Sequence, residues 1–286
     1  MSDINIYEVG PRDGLQNSDF TLSTKEKISM IEQLYNANLK NIEVASFVHP
    51  KLVPNMADAE DVFKKTKHLD NFGVLVPNQK GFDRAKNIGV KKFNLFLSPS
   101  DEFNIRNLGK KLDDIYPEVK DMTQDVNRDD IKAYISCAFG CPFTRKPSEY
   151  KLRDIFKKVH NITDNIVLCD TIGATHPTLT LSLHLHERKG KKRDMFDNVK
   201  AAIDWGVTDF DASIAGLGGC PFIPDSGNNL STNELIEWSI KNNYETGIEL
   251  TDLSELTDWL TYKKSPIKSN NKLSFHIETL SNLSSI

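Results

Sequence analysis

Leu183-His184-Leu185-His186 sets two histidines at positions i and i+2. On a strand, side chains at that spacing point to one face. Two imidazoles on an inward face are costly to bury unless they are hydrogen-bonded or bound to a metal. The pattern is therefore either a satisfied histidine pair or half of a metal site. Asp13, in Gly10-Pro11-Arg12-Asp13-Gly14, and Asn229, beyond a glycine-rich segment, supply a carboxylate and an amide oxygen. One carboxylate, one amide and two imidazoles, with no thiolate, suit Mg²⁺ or Mn²⁺ better than structural zinc.

A second chemical group stands apart from these. Gly216-Leu-Gly-Gly-Cys-Pro-Phe-Ile-Pro-Asp-Ser-Gly-Asn-Asn229 puts Cys220 inside a run of glycines and prolines. A structural cysteine usually sits in a helix or strand as a small hydrophobe, whereas loops more often carry function. Cys137 and Cys169 fall on apolar segments and read as core, and Cys141 falls on a loop. Arg12 beside Asp13 is either a surface ion pair or, given the flanking Gly10-Pro11 and Gly14, two side chains presented by a fixed turn. For Glu43, structural and catalytic roles are equally open. Asp170-Thr171-Ile-Gly173 fits a helix cap or a strand-end turn. The glycines at 216–219 lack the GxGxxG order of a dinucleotide site.

Short apolar runs alternate with amphipathic stretches along most of the chain. Strands are expected at 4–9, 41–47, 72–77, 91–100, 131–137, 165–170, 181–186 and 207–213. Helices are expected at 23–39, 56–67, 79–89, 110–127, 147–160, 193–206, 231–242 and 251–264, with a polar loop before the fourth and Pro117 near its start or at a kink. Sustained strand–helix alternation argues for parallel β/α architecture. Eight strands favour a closed (β/α)8 TIM barrel over an open doubly wound sheet. Only about ten residues separate the Asp170 strand from the His184 strand, fewer than a helical crossover needs, so the sixth helix is expected to be shortened or missing. The expected organisation is one TIM-barrel domain over 1–286, with the barrel at about 4–242 and a C-terminal helical extension at about 243–286. In such a barrel reactive groups gather at the C-terminal ends of strands. That places Arg12, Asp13, Gln16, Glu43, Asp170, Thr171, His184, His186, Cys220 and Asn229 at one rim.

With 286 residues, 38% hydrophobic, 27% charged and a formal net charge of −4, the chain reads as an ordinary globular protein without the basic excess that nucleic acid or an anionic membrane would call for. Its four cysteines form no CxxC pairs, which fits a reducing compartment. The N-terminus lacks the features of a signal or transit peptide, and no apolar run reaches membrane-spanning length. A cytoplasmic location is expected.

Taken together, Val9-Gly-Pro-Arg-Asp-Gly-Leu-Gln-Asn17, Glu43 with Ser46-Phe-Val48, Pro54 with Met56, Cys141-Pro, Asp170-Thr-Ile-Gly173, His184-x-His186 and Ala215-Gly-Leu-Gly-Gly-Cys-Pro221 resemble the 3-hydroxy-3-methylglutaryl-CoA lyases. That family belongs to the metal-dependent TIM-barrel lyases and synthases. The similarity runs in order from about residue 5 to about residue 240. It implies cleavage of a β-hydroxy acyl-CoA to acetyl-CoA and acetoacetate, as in leucine degradation and ketone-body metabolism, by a homodimer. It further implies that Asp13, His184, His186 and Asn229 bind Mg²⁺ or Mn²⁺, with Asn228 the alternative to Asn229. Arg12 would contact the substrate carbonyl and Cys220 would be the catalytic thiol. Glu43, Gln16, Asp170 and Thr171 would complete the site. Two departures flank the histidine strand: Glu187-Arg-Lys-Gly190 replaces the family's aspartate and threonine, and the preceding helix is nearly absent. Two further readings follow from these: a sister lyase acting on another acyl-CoA such as citramalyl-CoA, or a metal-binding barrel that has lost catalysis.

Overall fold

The computed structural model describes residues 3–144, 147–170, 182–188, 192–219 and 226–265. The first half of the chain runs β1 (Asn5–Glu8), α1 (Thr24–Asn36), β2 (Ile42–Ser46), α2 (Ala59–Thr66), β3 (Phe72–Leu75) and α3 (Gln79–Asn87). It continues through β4 (Lys92–Leu97), α4 (Asp101–Leu108), α5 (Leu112–Thr123), β5 (Ile131–Ile135) and α6 (Glu149–His160). The second half holds β6 (Ile166–Asp170), β7 (Ser182–Arg188), α7 (Lys192–Asp204), β8 (Asp209–Ala212), β9 (Ser226–Asn229), α8 (Thr232–Lys241) and α9 (Ser254–Lys264).

Strands β1 to β8 pair in parallel in sequence order, and β8 pairs back onto β1 with Asn5 opposite Asp209 and Glu8 opposite Ala212, so the sheet closes into the expected barrel. Local chemistry sets the helix starts. Ser23 forms a capping box with Glu26 ahead of α1, and Asn78 and Ser100 cap α3 and α4 through their side chains.

Three details differ from expectation. The polar stretch before α5 contains a helix, α4, capped by Ser100 and closed by Gly109 in the left-handed region at φ 74°. Pro117 then lies in the middle of α5. The segment after Cys220 includes β9, which runs antiparallel to β7 and pairs His186 with Asn229. Between β6 and β7 no helix stands among the described residues; Thr171 and the stretch to 181 lie outside them, as does the chain beyond 265.

Strand alternation separates two interiors. Phe93, Leu95 and Leu97 of β4, Ile131, Ala133 and Ile135 of β5, and Leu183 and Leu185 of β7 join the apolar core under the helices. The opposite phase points into the barrel, and much of it is polar: Tyr7, Glu43, Asn94, Lys132, His184 and Asp211. Gly73 makes room for this layer, since a Cβ there would fall 2.3 Å from the Tyr7 hydroxyl. Buried polar groups of this kind persist only where they satisfy one another.

Candidate active site

The turn after β1 is a single π-helical turn, Gly10–Gly14, in which the carbonyl of Val9 accepts from the backbone N–H groups of Arg12, Asp13 and Gly14. Glu8, fully buried, anchors it. One carboxylate oxygen accepts from Gly10 N at 2.8 Å and Ile214 N at 2.9 Å, and the other from Thr232 Oγ1 at 2.6 Å. The turn after β1, the turn after β8 and the start of α8 are thereby tied to one side chain. Burial pushes the Glu8 carboxyl up to about 7 against those three hydrogen bonds.

Arg12 is buried between two carboxylates: Nε donates to Glu43 Oε2 at 2.5 Å and Nη1 to Asp13 Oδ1 at 2.6 Å. Burial disfavours its charge, but Glu43 and Asp13 outweigh that and hold the guanidinium ionised. Glu43 also accepts from Asn94 Nδ2 at 2.8 Å, and Asn94 donates to the Tyr7 hydroxyl at 2.9 Å. Burial raises the Glu43 carboxyl, countered by Arg12 and Asn94. Asp13 is held at about 2: burial works upward, while Arg12, then His184 and His186, pull it down.

Asp13 Oδ2 accepts from Asn229 Nδ2 at 2.8 Å and stands 4.0 Å from His184 Nε2. The rings of His184 and His186 lie edge to face with centroids 4.9 Å apart, both side chains buried. His184 keeps a raised pKa despite burial, because Asp211 and Asp13 face it. Burial and the neighbouring His184 push His186 down to about 3. Among the described residues no three His, Cys, Asp or Glu side chains close into a finished metal cluster. The surroundings nonetheless offer free acceptors. Asn229 Nδ2 is committed to Asp13 and to the Leu217 carbonyl at 2.9 Å, and among the described residues its buried Oδ1 and the Nδ1 of His186 have no hydrogen-bond partner.

These groups open on a cavity of about 150 Å³ at the C-terminal mouth of the barrel. Arg12, Asp13, Gln16, His184 and His186 line it, as do Tyr134, Phe96 and Cys169, and the buried Gln16 Oε1 has no hydrogen-bond partner among the described residues. Asn229 meets the group through Asp13. Glu43 lies behind Arg12 rather than on the cavity wall. Asp170 does not line the cavity: it is buried on β6 in the phase of Ile166 and Leu168, whereas Cys169 turns inward. Burial holds the Cys169 thiol well above its ordinary value, so it stays protonated, as a core cysteine should. Cys220 and Thr171 lie outside the described residues.

The sequence reading missed Tyr134, Lys132 and Asp211. All three occupy the inward phase of strands whose outward phase is apolar, and a lone lysine in Ile131–Ile135 is a signal that could have found the first two.

A (β/α)8 barrel whose C-terminal mouth gathers a buried arginine and a low-pKa carboxylate from the turn after one strand and two imidazoles from another is built as an enzyme. Residues 3–183 match the HMGL-like family. The chain is 35% identical to the mitochondrial hydroxymethylglutaryl-CoA lyase of Rattus norvegicus, over 90% of this chain and 84% of that protein. It is 32% identical to the hydroxymethylglutaryl-CoA lyase YngG of Bacillus subtilis, over 94% of this chain and 96% of that protein. Among solved structures, the HMG-CoA lyase of Bacillus subtilis superposes with a TM-score of 0.85 at 31% identity, covering 95% of this chain and 97% of that one. An HMG-CoA lyase from Acinetobacter baumannii, solved in complex with coenzyme A and 3-methylmalate, gives 0.84 at 29% identity, covering 96% and 97%. The chain belongs to the HMGL-like family.

Proposed function

We propose that this chain is a divalent-metal-dependent carbon–carbon lyase that cleaves 3-hydroxy-3-methylglutaryl-CoA to acetyl-CoA and acetoacetate. The observation that carries the reading is the placement of Asp13: ionised, fixed between Arg12 and Asn229, and 4.0 Å from His184 Nε2 at the cavity mouth. The family supplies the reaction class, and the names of its relatives supply the acyl group.

The donor set fits a hard dication such as Mg²⁺ or Mn²⁺: Asp13, His184 and His186, with the orphaned Oδ1 of Asn229. When bound, such an ion supplies a Lewis acid that lowers the pKa of a coordinated alcohol from about 16 by several units. The rest falls to side chains. The C3 hydroxyl of the substrate gives up its proton to solvent, from which the Cys220 thiolate is later reprotonated; the C2–C3 bond breaks, C3 becomes the ketone of acetoacetate, and the electron pair passes to the thioester, leaving the enolate of acetyl-CoA. Arg12 offers a permanent cation to the enolate oxygen that develops there. With Nε and Nη1 committed to Glu43 and Asp13, its Nη2 has no hydrogen-bond partner among the described residues. Glu43 acts through Arg12, fixing its plane. Gln16 offers a polar contact on the same wall, and Thr171 is assigned a substrate contact. Cys220, on its glycine-rich segment, delivers a proton to the enolate carbon; a thiol with a pKa near 8.5 can do so around neutral pH.

A cytoplasmic homodimer belongs to the same proposal. Cys137, Cys141 and Cys169 are free thiols, as a reducing compartment would keep them. No helix among the described residues is long and apolar enough to cross a membrane.

The test is direct. Chelator-treated protein is incubated with 3-hydroxy-3-methylglutaryl-CoA, with and without added Mg²⁺ or Mn²⁺, and acetyl-CoA and acetoacetate are quantified. Both products are expected with metal and neither with chelator. Cleavage of citramalyl-CoA instead would reassign the acyl group, and metal binding without cleavage of either would overturn the catalytic reading.

A further inference from the structure

Behind His184, on the side away from the cavity mouth, lies a buried ion pair that the proposed reaction does not use. Lys132, on β5, places Nζ 2.9 Å from Asp211 Oδ1 on β8. The same ammonium sits 3.4 Å from the centroid of the Tyr7 ring, a cation–π contact. The second oxygen, Asp211 Oδ2, is 3.3 Å from His184 Nδ1. Neither of those two atoms completes a hydrogen bond among the described residues, so each is the other's nearest polar neighbour of complementary character. The ring of His184 thus stands between two carboxylates, Nδ1 facing Asp211 and Nε2 facing Asp13.

Burying a lysine–aspartate pair is costly, and an apolar pair of similar volume is often as stable or more so. A pair kept inside a barrel therefore asks for a reason. Geometry gives one. A carboxylate facing Nδ1 favours the tautomer that keeps the ring proton there as a donor and leaves the Nε2 lone pair facing Asp13 and the cavity, and outer contacts of this kind set the tautomer and basicity of a ligating histidine.

We propose that Asp211 and Lys132 are positioning residues for His184: Asp211 fixes the Nδ1–H tautomer and the ring plane, and Lys132 clamps Asp211 in place. The inference rests on His184 being a ligand of the proposed cation. Lys132 reaches no substrate and acts through two other side chains.

Two measurements test it. Chelated wild-type protein and the variants Asp211→Asn, Lys132→Met and Lys132→Arg are titrated with Mn²⁺, free ion being followed by electron paramagnetic resonance, and metal-free unfolding is recorded in parallel. Asp211→Asn should weaken Mn²⁺ binding by about 10–100-fold. Lys132→Met should weaken it in the same direction, and Lys132→Arg should restore most of the loss. Wild-type affinity in a folded Asp211→Asn protein overturns the proposal. Separately, nitrogen-15 NMR of the histidines in metal-free wild-type protein at alkaline pH reads the His184 tautomer without any variant. Nδ1–H is expected, and Nε2–H would refute the role of Asp211 whether or not the site binds metal. Wild-type protein that shows the expected tautomer yet takes up no Mn²⁺ would instead refute the proposed metal dependence, and with it the ligand role of His184.

Discussion

His186 on β7 and Asn229 on β9 are direct partners in an antiparallel pairing, although β9 lies outside the eight-stranded barrel. Directly opposed side chains on antiparallel strands share a face and approach closely. The pairing thus brings the amide of Asn229 beside the imidazole, and among the described residues neither Asn229 Oδ1 nor His186 Nδ1 has a hydrogen-bond partner. Its neighbour Asn228 is exposed and accepts from Lys264 Nζ at 2.9 Å. Asn229→Ala is expected to lower Mn²⁺ affinity by more than the roughly 10–100-fold that an outer contact is worth, and Asn228→Ala to leave it near wild type. Metal titration of the two variants distinguishes them, and equal losses would remove Asn229 from the ligand set.

Arg12 and Cys220 are assigned to the substrate rather than to the metal. Arg12→Gln and Cys220→Ala should each cut turnover by about 10²-fold or more, as loss of one group stabilising the transition state does elsewhere. Mn²⁺ binding should survive largely intact in both. Steady-state kinetics beside a metal titration checks the split. Near-normal turnover in either variant rules out the role given to that residue.

Glu8 makes stability depend on pH in an unusual sense. Its carboxyl titrates at about 7 in the folded chain against 4.5 unfolded. Below 4.5 it is neutral in both states, and as pH climbs to about 7 the unfolded chain ionises first, so stability falls by about 3 kcal/mol across that window. His186, at about 3 folded against 6.5 unfolded, acts oppositely: stability is complete above 6.5 and is lost as pH drops toward 3. Between 4.5 and 6.5 the two slopes oppose each other. Glu8→Gln can keep all three hydrogen bonds, its oxygen accepting from Gly10 and Ile214 and its amide donating to Thr232. Denaturant unfolding of the metal-free Gln variant should therefore gain stability with rising pH more steeply than wild type over 4.5–7. Parallel curves would contradict the assignment.

Gly218 lies at φ 87°, and a Cβ there would fall 2.9 Å from the Asp13 carbonyl oxygen and 2.8 Å from Asn229 Nδ2. Gly218→Ala should cost about 1–3 kcal/mol in strain and weaken metal binding by separating those two residues. Gly89 has a similar φ of 93° with nothing within 4 Å of the added carbon. Gly89→Ala should lose stability alone, with activity retained. Thermal unfolding and activity of the two variants separate strain from misplacement.

Elements with strong periodicity were legible from the residues themselves: all eight barrel strands, and the inward phase of His184 and His186. Helix α4 was not, because Asp101–Leu108 offers a polar sequence whose helix is set by the Ser100 cap and by burial of Phe103 and Asn104. Strand β9 was hidden among turn residues, since Ser-Gly-Asn-Asn has low strand propensity and pairs only because β7 presents an edge to it; Gly227 permits the approach, a Cβ there falling 2.2 Å from the Glu187 carbonyl oxygen. At the site, residue types pointed to Arg12, Asp13 and the histidines. That Asp170 stays off the cavity wall while Cys169 lines it depends on strand phase at the rim, which a motif does not encode.

Diffraction from crystals soaked in Mn²⁺, with data collected where manganese scatters anomalously, locates the ion without reference to activity. The expected result is one strong anomalous peak at ligand distance from Asp13, His184 and His186, with Asn229 Oδ1 beside it. A map without a peak there, or with manganese bound only elsewhere on the protein, would contradict the convergence of these four residues on one cation.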